Sequence, residues 1–512
     1  MAERQGTMAI IDISSNEIRM YIAEKVVGSI NFLETLKYPL NLAKDTFGTG
    51  MISFEKVNKL CEILSGFIQV AGEFDVSVIK TVATTAVREA ANKDYILDQI
   101  RIKTGLSVKI MDETAEKLYI FKMMDHILKN ELADKSTLMA HIGGGAVGLA
   151  LSENENTMLM QSIKVGALRI SELFENVHNG SLESYLMIEE YLRTYTDELK
   201  TVLSGDIDNI IISGNEAALI AYLCKARQED MLCHTERQAF LLLYEEIKFK
   251  SIGVISSQYG IEQAKSETLL PAMCLYSILL EFTTSAEIIT PSISLGQALI
   301  FEYFESAEFS LINKRFNKNI LESAKKIAAK YSIVEEHYTS VMSYCNKIFD
   351  QMKKIHGMSR RDKLLLQLAA ILHDCGKFVN VENHHVHSYA LIKGSEIAGL
   401  TAEEIDIVAS IALYHSMIVP DMADDNYRDF KASKKVLVSK LAAILRIADA
   451  LDRSRKQKIL SIDVKLSGGR LIITADAGND NIDLEKWAFR EKGVFFGEVF
   501  GIEPVLKAEK GA

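Results

Sequence analysis

An apolar run with helical spacing, 364–372, ends on His373 and Asp374 side by side, with Gly376 and Lys377 directly after and His384, His385 and His387 beyond the turn. Imidazole and carboxylate are costly to desolvate unless they are paired or bind a metal. A helix that carries both into an apolar environment therefore points to an ion rather than to a core. Nitrogen and oxygen donors together suit a hard or borderline divalent cation. Further donors lie at a distance: His337 in the helical pattern SIVEEHYTSVMSYC, His415 at the end of IDIVASIALYH, and Asp449 in the amphipathic LAAILRIADALDRS. Several helices would each aim one ligand at a common point, as helical bundles do with metal sites. The candidate ligands are His337, His373, Asp374, His387, His415 and Asp449. A lone His-Asp pair is common and weak; the ordered set, each member on a helix or at its end, is much stronger. His384 and His385 read as loop residues, and His356 as a residue placed at a helix C-terminus by the dipole.

A second kind of chemistry opens the chain. Met8–Ile13 is a short apolar strand carrying Asp12, and a second strand starts at Ile18. Ser14, Ser15 and Asn16 between them have turn chemistry, so the two strands form a hairpin. A carboxylate at a strand end followed by small hydroxyl residues is a plausible cradle for phosphate and its cation. The pattern returns in TLMAHIGGGAVGLALS, a strand, a glycine turn and a strand. Gly143, Gly144 and Gly145 can approach a phosphate without Cβ interference. Each motif alone is more often a plain turn.

The elements that must position these residues alternate. A helix near 55–72, a strand in VSVIKTVAT, a largely helical stretch to Gly105, a strand at 107–111 and a helix from Glu113 to Leu128 give an α/β pattern. The second loop is followed by a strand and helix in QSIKVGALRISELF, a helix at 181–203, a strand at 207–213, and mostly helix to about Phe309, with one strand at 287–290. ILSIDVKL and RLIITAD read as a hairpin around a SGG turn. A short helix with Trp487 and a Phe-rich tail follow, with no site.

The 512 residues allow three or four domains, with 48% hydrophobic and 25% charged residues and only 5 Pro, a soluble, helix-rich composition. A net charge of −11 disfavours nucleic acid as a bulk electrostatic partner but leaves room for a local basic pocket. The six cysteines show no CxxC pair and read as reduced thiols of a cytoplasmic protein. Asp12 interrupts the one N-terminal apolar segment, and no run suits a membrane span.

Two halves that each open on a strand–turn–strand phosphate loop resemble the plan of the actin-like ATPase superfamily. More narrowly, MAIIDISSNEIRMYI resembles the opening of the exopolyphosphatase / guanosine-pentaphosphatase (Ppx/GppA) family, usually DIGSNS followed by an Arg. TVATTAVREAANKDYILDQI, HIGGGAVGLAL and VGALRISELF resemble later segments of the same family. HDCGK and the stretches around His415 and Asp449 resemble the family's HD-like third domain and the HD phosphohydrolases. The likeness covers residues 8 to about 455. It implies an actin-like (ribonuclease H-like) α/β first half in two parts, 1–130 and 131–312, then an all-α HD-type domain, 313–457, and a small α/β cap, 458–512. It implies a phosphohydrolase acting on polyphosphate or a phosphorylated guanosine nucleotide, with a divalent ion such as Mg, Mn or Fe, and a homodimer.

The departures from the family pattern carry as much weight. Asp12, Asn16, Arg19 and Arg88 stand where the family has them, so Asp12, Ser14, Ser15, Asn16, Arg19, Arg88 and Gly143–Gly145 are the phosphate-binding candidates. The glycine of DIGSN is Ser14, the aspartate that opens the second loop is His141, and the glutamate that closes it is Gly148. Thr114 and Ala115 fall on the family's paired glutamates, leaving Glu113 or Glu116 as a base after a shift of register; Glu113 is the candidate. Losing cation-holding carboxylates costs orders of magnitude in hydrolysis, so the first half is expected to be weak or dead as a phosphatase. In the second half the ligands are retained. There His337, His373, Asp374 and Asp449 would hold one ion, His387 and His415 would help hold a second, and Lys377 would steady phosphate charge. The rival expectation is a protein that senses polyphosphate or nucleotide without turning it over.

Overall fold

The computed structural model describes residues 5–508 other than 27–28, 133–134, 154–155, 175–181, 197–198, 200–202, 204–206, 396 and 398. The chain divides into two compact units, Met1–Phe316 and Asn317–Ala512.

Unit 1 is built on two sheets of related plan. In the first, β1 (Gln5–Ile13), β2 (Glu17–Val26) and β3 (Ser29–Pro39) form an antiparallel meander, and β4 (Val78–Ala83) and β5 (Val108–Ile110) continue parallel to β1, in the order β3-β2-β1-β4-β5. The second repeats this with β6 (Ser136–Ile142), β7 (Val147–Glu153), β8 (Asn156–Ile163), β9 (Asn209–Gly214) and β12 (Glu287–Pro291), and adds β10 (Arg227–Glu229) and β11 (Leu232–Glu236) outside β12. Its order is β10-β11-β12-β9-β6-β7-β8. The first strand of each meander is central and buried on both faces, which is why MAIIDI and LMAHI read as near-continuous apolar runs rather than alternations. Asp12 and His141 therefore emerge at equivalent places, the end of a buried central strand.

The strands that sequence pattern misses lie at or near the sheet edges. In β3 most side chains are exposed, so SINFLETLKYP carries no clear apolar face. β10 and β11 lie beyond the parallel core and are 3 and 5 residues long.

In unit 1, α1 (Thr85–Glu89) carries Arg88 and α2 (Glu113–Ile127) carries Glu113, Glu116 and Lys117. Among the helices of unit 2 are α3 (Glu335–Gln351), α4 (Arg360–Leu372), α5 (His384–Lys393), α6 (Ala402–Leu413) and α7 (Ala432–Ala450), together with the later part of a helix at Ser306–Lys330 and shorter turns of helix. A three-stranded sheet, β13 (Ser461–Ser467), β14 (Arg470–Asp476) and β15 (Glu503–Ala508), and a last helix, α8 (Asp483–Phe500), complete the unit. The sheet and α8 share one hydrophobic core with the helices, running from Ile320 through Leu366, Ile447 and Ile473 to Phe496. The residues after 457 are thus continuous with the bundle's core rather than a separate cap, and α8 is an 18-residue helix that absorbs much of the Phe-rich tail. Among the described residues no helix is long and apolar enough to cross a membrane.

Candidate functional site

In unit 1 the two loops meet. Ser14 N–H donates to Glu17 O at 3.1 Å, closing the turn, and the Ser15 carbonyl accepts from the amides of Leu42 and Ala43. A Cβ built on Gly144 would lie 3.5 Å from Ser15 Cβ, and one on Gly145 would press on Thr85, the first residue of α1. Glycine is required at 145 by the approach of the loop to α1, whereas a Cβ at 144 would meet Ser15 at ordinary contact distance. Arg88, on α1, donates to Met111 O at 2.8 Å and Thr85 Oγ1 at 2.9 Å, and lies 3.6 Å from Glu116 Oε2. Arg19 faces Asp12 across the hairpin and pairs with Glu17. Asp12 Oδ1, Asn16 Oδ1, Arg19 Nε and Glu116 Oε2 are buried without a hydrogen-bond partner in the protein, the pattern of a site that receives a polar ligand. Burial, and next the charge of Glu116, push the Asp12 carboxyl up to about 6.

The structure separates the two glutamates left open by sequence. Glu113, the candidate base, accepts from the Ser162 hydroxyl on β8 and lies 4.0 Å from Arg88. Glu116 is the one that bears on Asp12. Beside it stands Lys117, 4% exposed, with Glu116 Oε1 at 4.0 Å. His141 and Gly148 are register partners in the β6–β7 hairpin. His141 Nδ1 lies 2.8 Å from Ser213 Oγ, and burial, then the Lys117 charge, hold this imidazole well below the usual histidine range.

In unit 2 four imidazoles share one tautomeric logic. Nδ1 of His373, His384 and His415 donates to the carbonyls of Ala370, Val381 and Ala412, at 2.9, 2.9 and 2.5 Å. Nδ1 of His337 lies 2.8 Å from Asp452 Oδ2. A carbonyl cannot donate and a carboxylate accepts, so in the neutral rings each Nε2 is left as a lone pair, the state in which histidine binds metal. These Nε2 atoms converge. His337 Nε2 is 3.3 Å from Asp449 Oδ1 and 3.6 Å from Asp374 Oδ2. His373 Nε2 is 3.5 and 3.6 Å from the same two atoms. His384 Nε2 is 3.5 Å from Asp374 Oδ1 and 3.2 Å from His415 Nε2. The Nε2 atoms of His337 and His373 are buried with no hydrogen-bond partner, and Asp374 Oδ1 has the Lys377 ammonium at 2.9 Å as an ion partner. Groups drawn from His337, His373 and Asp449, and from His373, Asp374 and His415, have ligand atoms close enough together to hold an ion. Burial opposes charge on His337, but its hydrogen bonds with Asp449 and Asp452 raise it to about 9, so a bound ion would displace that proton. The residues present therefore fit a divalent cation: imidazole nitrogens and carboxylate oxygens, oriented from behind and converging in front.

The structure brings together His337, His373, Asp374, His415 and Asp449, and it places Lys377 Nζ 2.9 Å from Asp374. It does not bring His387 to them; among the described residues the ligand-atom groups leave His387 out, and its electrostatic neighbour is His385. His384 takes that place instead. The reason is Gly376: a Cβ there would collide with the His384 carbonyl and the Ser388 amide, so the first turn of α5 packs directly on the turn after His373-Asp374 and delivers His384. Two further residues escape sequence reading. Arg455 pairs with Asp374. Lys492, on α8 and 7% exposed, reaches Asp449 Oδ2 at 2.5 Å and the His415 carbonyl at 3.2 Å. Burial alone would raise both carboxyls. The charges of His373 and Arg455 bring Asp374 below the usual range instead, and Lys492 brings Asp449 well below it.

Comparison with known proteins agrees with this division. The Ppx/GppA phosphatase family matches over residues 21–248, and the Ppx/GppA phosphatase, domain III, over 321–487. A guanosine-5'-triphosphate,3'-diphosphate pyrophosphatase from Pseudoalteromonas translucida is 21% identical over 465 residues, 89% of each chain. Its counterpart from Vibrio parahaemolyticus is 21% identical over 487 residues, 92% of each. Among solved structures, the Aquifex aeolicus member of the Ppx/GppA family superposes with a TM-score of 0.51 at 19% identity, over 59% of this chain and 98% of its own. An exopolyphosphatase from Cytophaga hutchinsonii gives 0.53 at 18%, over the same shares. The chain belongs to the Ppx/GppA family of phosphohydrolases, and its N-terminal half has the actin-like fold of those structures.

Proposed function

We propose that this protein is a metal-dependent phosphohydrolase that cleaves a phosphoanhydride or phosphoester in polyphosphate or a phosphorylated guanosine nucleotide, with an HD-type site in unit 2 as its catalytic centre. The observation that carries the reading is the convergence of four Nε2 lone pairs on Asp374 and Asp449. Two of them, on His384 and His415, face each other at 3.2 Å, an arrangement that needs a positive charge, a proton or a metal ion, between the rings. His337, His373, Asp374 and Asp449 would hold one divalent ion. His384 and His415 would hold a second, with Asp374 close to both groups. Bound ions of this kind lower the pKa of water and polarise a phosphoryl oxygen.

The chain's own residues do the rest. Lys377 and Arg455 pair with the buried Asp374 through side chains that are still 27% and 33% exposed, so both can turn their charge to a substrate phosphate at the mouth. Asp452 and the carbonyls of Ala370, Val381 and Ala412 keep each imidazole in its binding tautomer. The substrate class follows the relatives, which are named for a guanosine nucleotide and for polyphosphate. In unit 1, His141 and Gly148 replace the loop's carboxylates, which supports reading that half as a phosphate receptor with little hydrolysis of its own.

The test is elemental analysis of the purified protein after reconstitution with manganese or iron, alongside phosphate release from tripolyphosphate and guanosine pentaphosphate. Wild type should hold metal and turn over; His373→Ala/Asp374→Ala should lose both. If turnover survives that variant and disappears in Asp12→Ala, the chemistry lies in unit 1 and the proposal fails.

A further inference from the structure

Unit 1 holds a buried ammonium placed where a phosphate loop would otherwise need a metal. Lys117 leaves α2 and lies over the β6–β7 hairpin. A Cβ on Gly143 would stand 3.0 Å from its Nζ, and one on Gly148 would stand 2.9 Å from its Cγ and Cδ. The stem of Lys117 thus fills the space that any side chain at 148 would need. Its ion partner Glu116 is 4.0 Å away, too far for a hydrogen-bonded pair, so a charge with 4% exposure is only partly compensated within the protein. Around it, Arg88 lies 3.6 Å from Glu116 and Arg19 Nε is a buried donor without a partner, while the unpartnered oxygens of Asp12 and Asn16 can accept only from the hydroxyl of a protonated phosphoryl group. The neighbouring imidazole, His141, is turned to Ser213 and offers no carboxylate oxygen to a hard cation such as magnesium.

We propose that unit 1 binds a phosphoryl anion, the end group of a polyphosphate chain or free phosphate, without a divalent ion, the Lys117 ammonium supplying the positive charge and Arg88, Arg19 and the facing Ser15 and Gly144 loops completing the cradle. This is a binding site independent of the hydrolysis assigned to unit 2. An ammonium fixed by the fold compensates phosphate charge as an ion would, but it cannot generate a hydroxide, so such a site retains its ligand intact. Gly148 and His141 are then matched to Lys117: restoring carboxylates at both positions requires the lysine to leave.

The experiment titrates full-length protein with tripolyphosphate by calorimetry, in the His373→Ala/Asp374→Ala background so that unit 2 contributes no metal. In EDTA and in magnesium the affinity for free tripolyphosphate, corrected for its complexation by magnesium, should agree within about twofold. Lys117→Met should weaken binding by roughly 10- to 100-fold in both, the scale of one charge-assisted contact, with circular dichroism confirming the fold. The triple variant His141→Asp/Gly148→Glu/Lys117→Ala should make binding depend on magnesium. Binding that appears only with magnesium, which needs no variant at this loop to detect, would overturn the proposal. So would full affinity in a folded Lys117→Met protein.

Discussion

Lys492 Nζ lies 2.5 Å from Asp449 Oδ2, joining the last helix of the chain to a residue of the candidate metal site. The pair is buried on both sides, at 7% and 6% exposure. Removing one partner of such a pair costs about 3–5 kcal/mol, because the other charge is left in a poor dielectric. Lys492→Met should therefore destabilise the metal-free protein by about that amount in urea unfolding. Manganese should recover a large part of the loss by neutralising Asp449. An unchanged midpoint in EDTA would mean that Lys492 does not hold this carboxylate.

His384 and His387 differ by one turn of α5, and only His384 faces Asp374 and His415. His384→Ala should lower the metal content from about two equivalents to about one and reduce phosphate release by about 100-fold or more, the scale of losing one charge-stabilising group. His387→Ala should leave both within about twofold, since solvent-accessible positions away from a site change little. Equal losses in the two variants would show that α5 sits in a different register.

Glu216 in unit 1 is buried, with Oε2 unpartnered, and its neighbours are the Thr268 hydroxyl and Tyr276. Burial raises its carboxyl from 4.5 to about 7. Between those values the folded chain keeps the proton and the unfolded chain releases it. Stability contributed by this group is therefore full in acid, falls as pH rises through the window and is lost above about 7, a difference of about 3 kcal/mol. Glu216→Gln should match wild type near pH 4 and exceed it by up to about that much near pH 8, read from urea midpoints. A constant gap between the two proteins at all pH values would rule this out.

The sites were legible in sequence where chemistry interrupts a strong pattern. Asp12 ends an apolar strand, Gly143–Gly145 break one, and His373-Asp374 terminate an apolar helix, so each stands out against its own neighbours. Lys117 and Lys492 do not. A lysine on an amphipathic helix looks solvated, and only packing against a glycine loop in one case, and α8 lying on α7 in the other, buries it. Asp452, one turn beyond Asp449, was hidden for the same reason, since its role is to orient His337 from behind. The choice between His384 and His387 depends on where α5 begins, which the contact with Gly376 sets rather than any local preference. The two-sheet plan was readable from its paired loops; β3, β10 and β11 lack the alternation or length that marks a strand.

The single core that runs from the helices of unit 2 into its C-terminal sheet has a consequence for modularity. The helix bundle is not a portable module. A fragment ending after α7 keeps every histidine and aspartate of the metal site yet strips the apolar cover from the helix that carries Asp449, along with Lys492. The tail is in this sense the keystone of the site, and a transplant of the chemistry to another scaffold must carry it along.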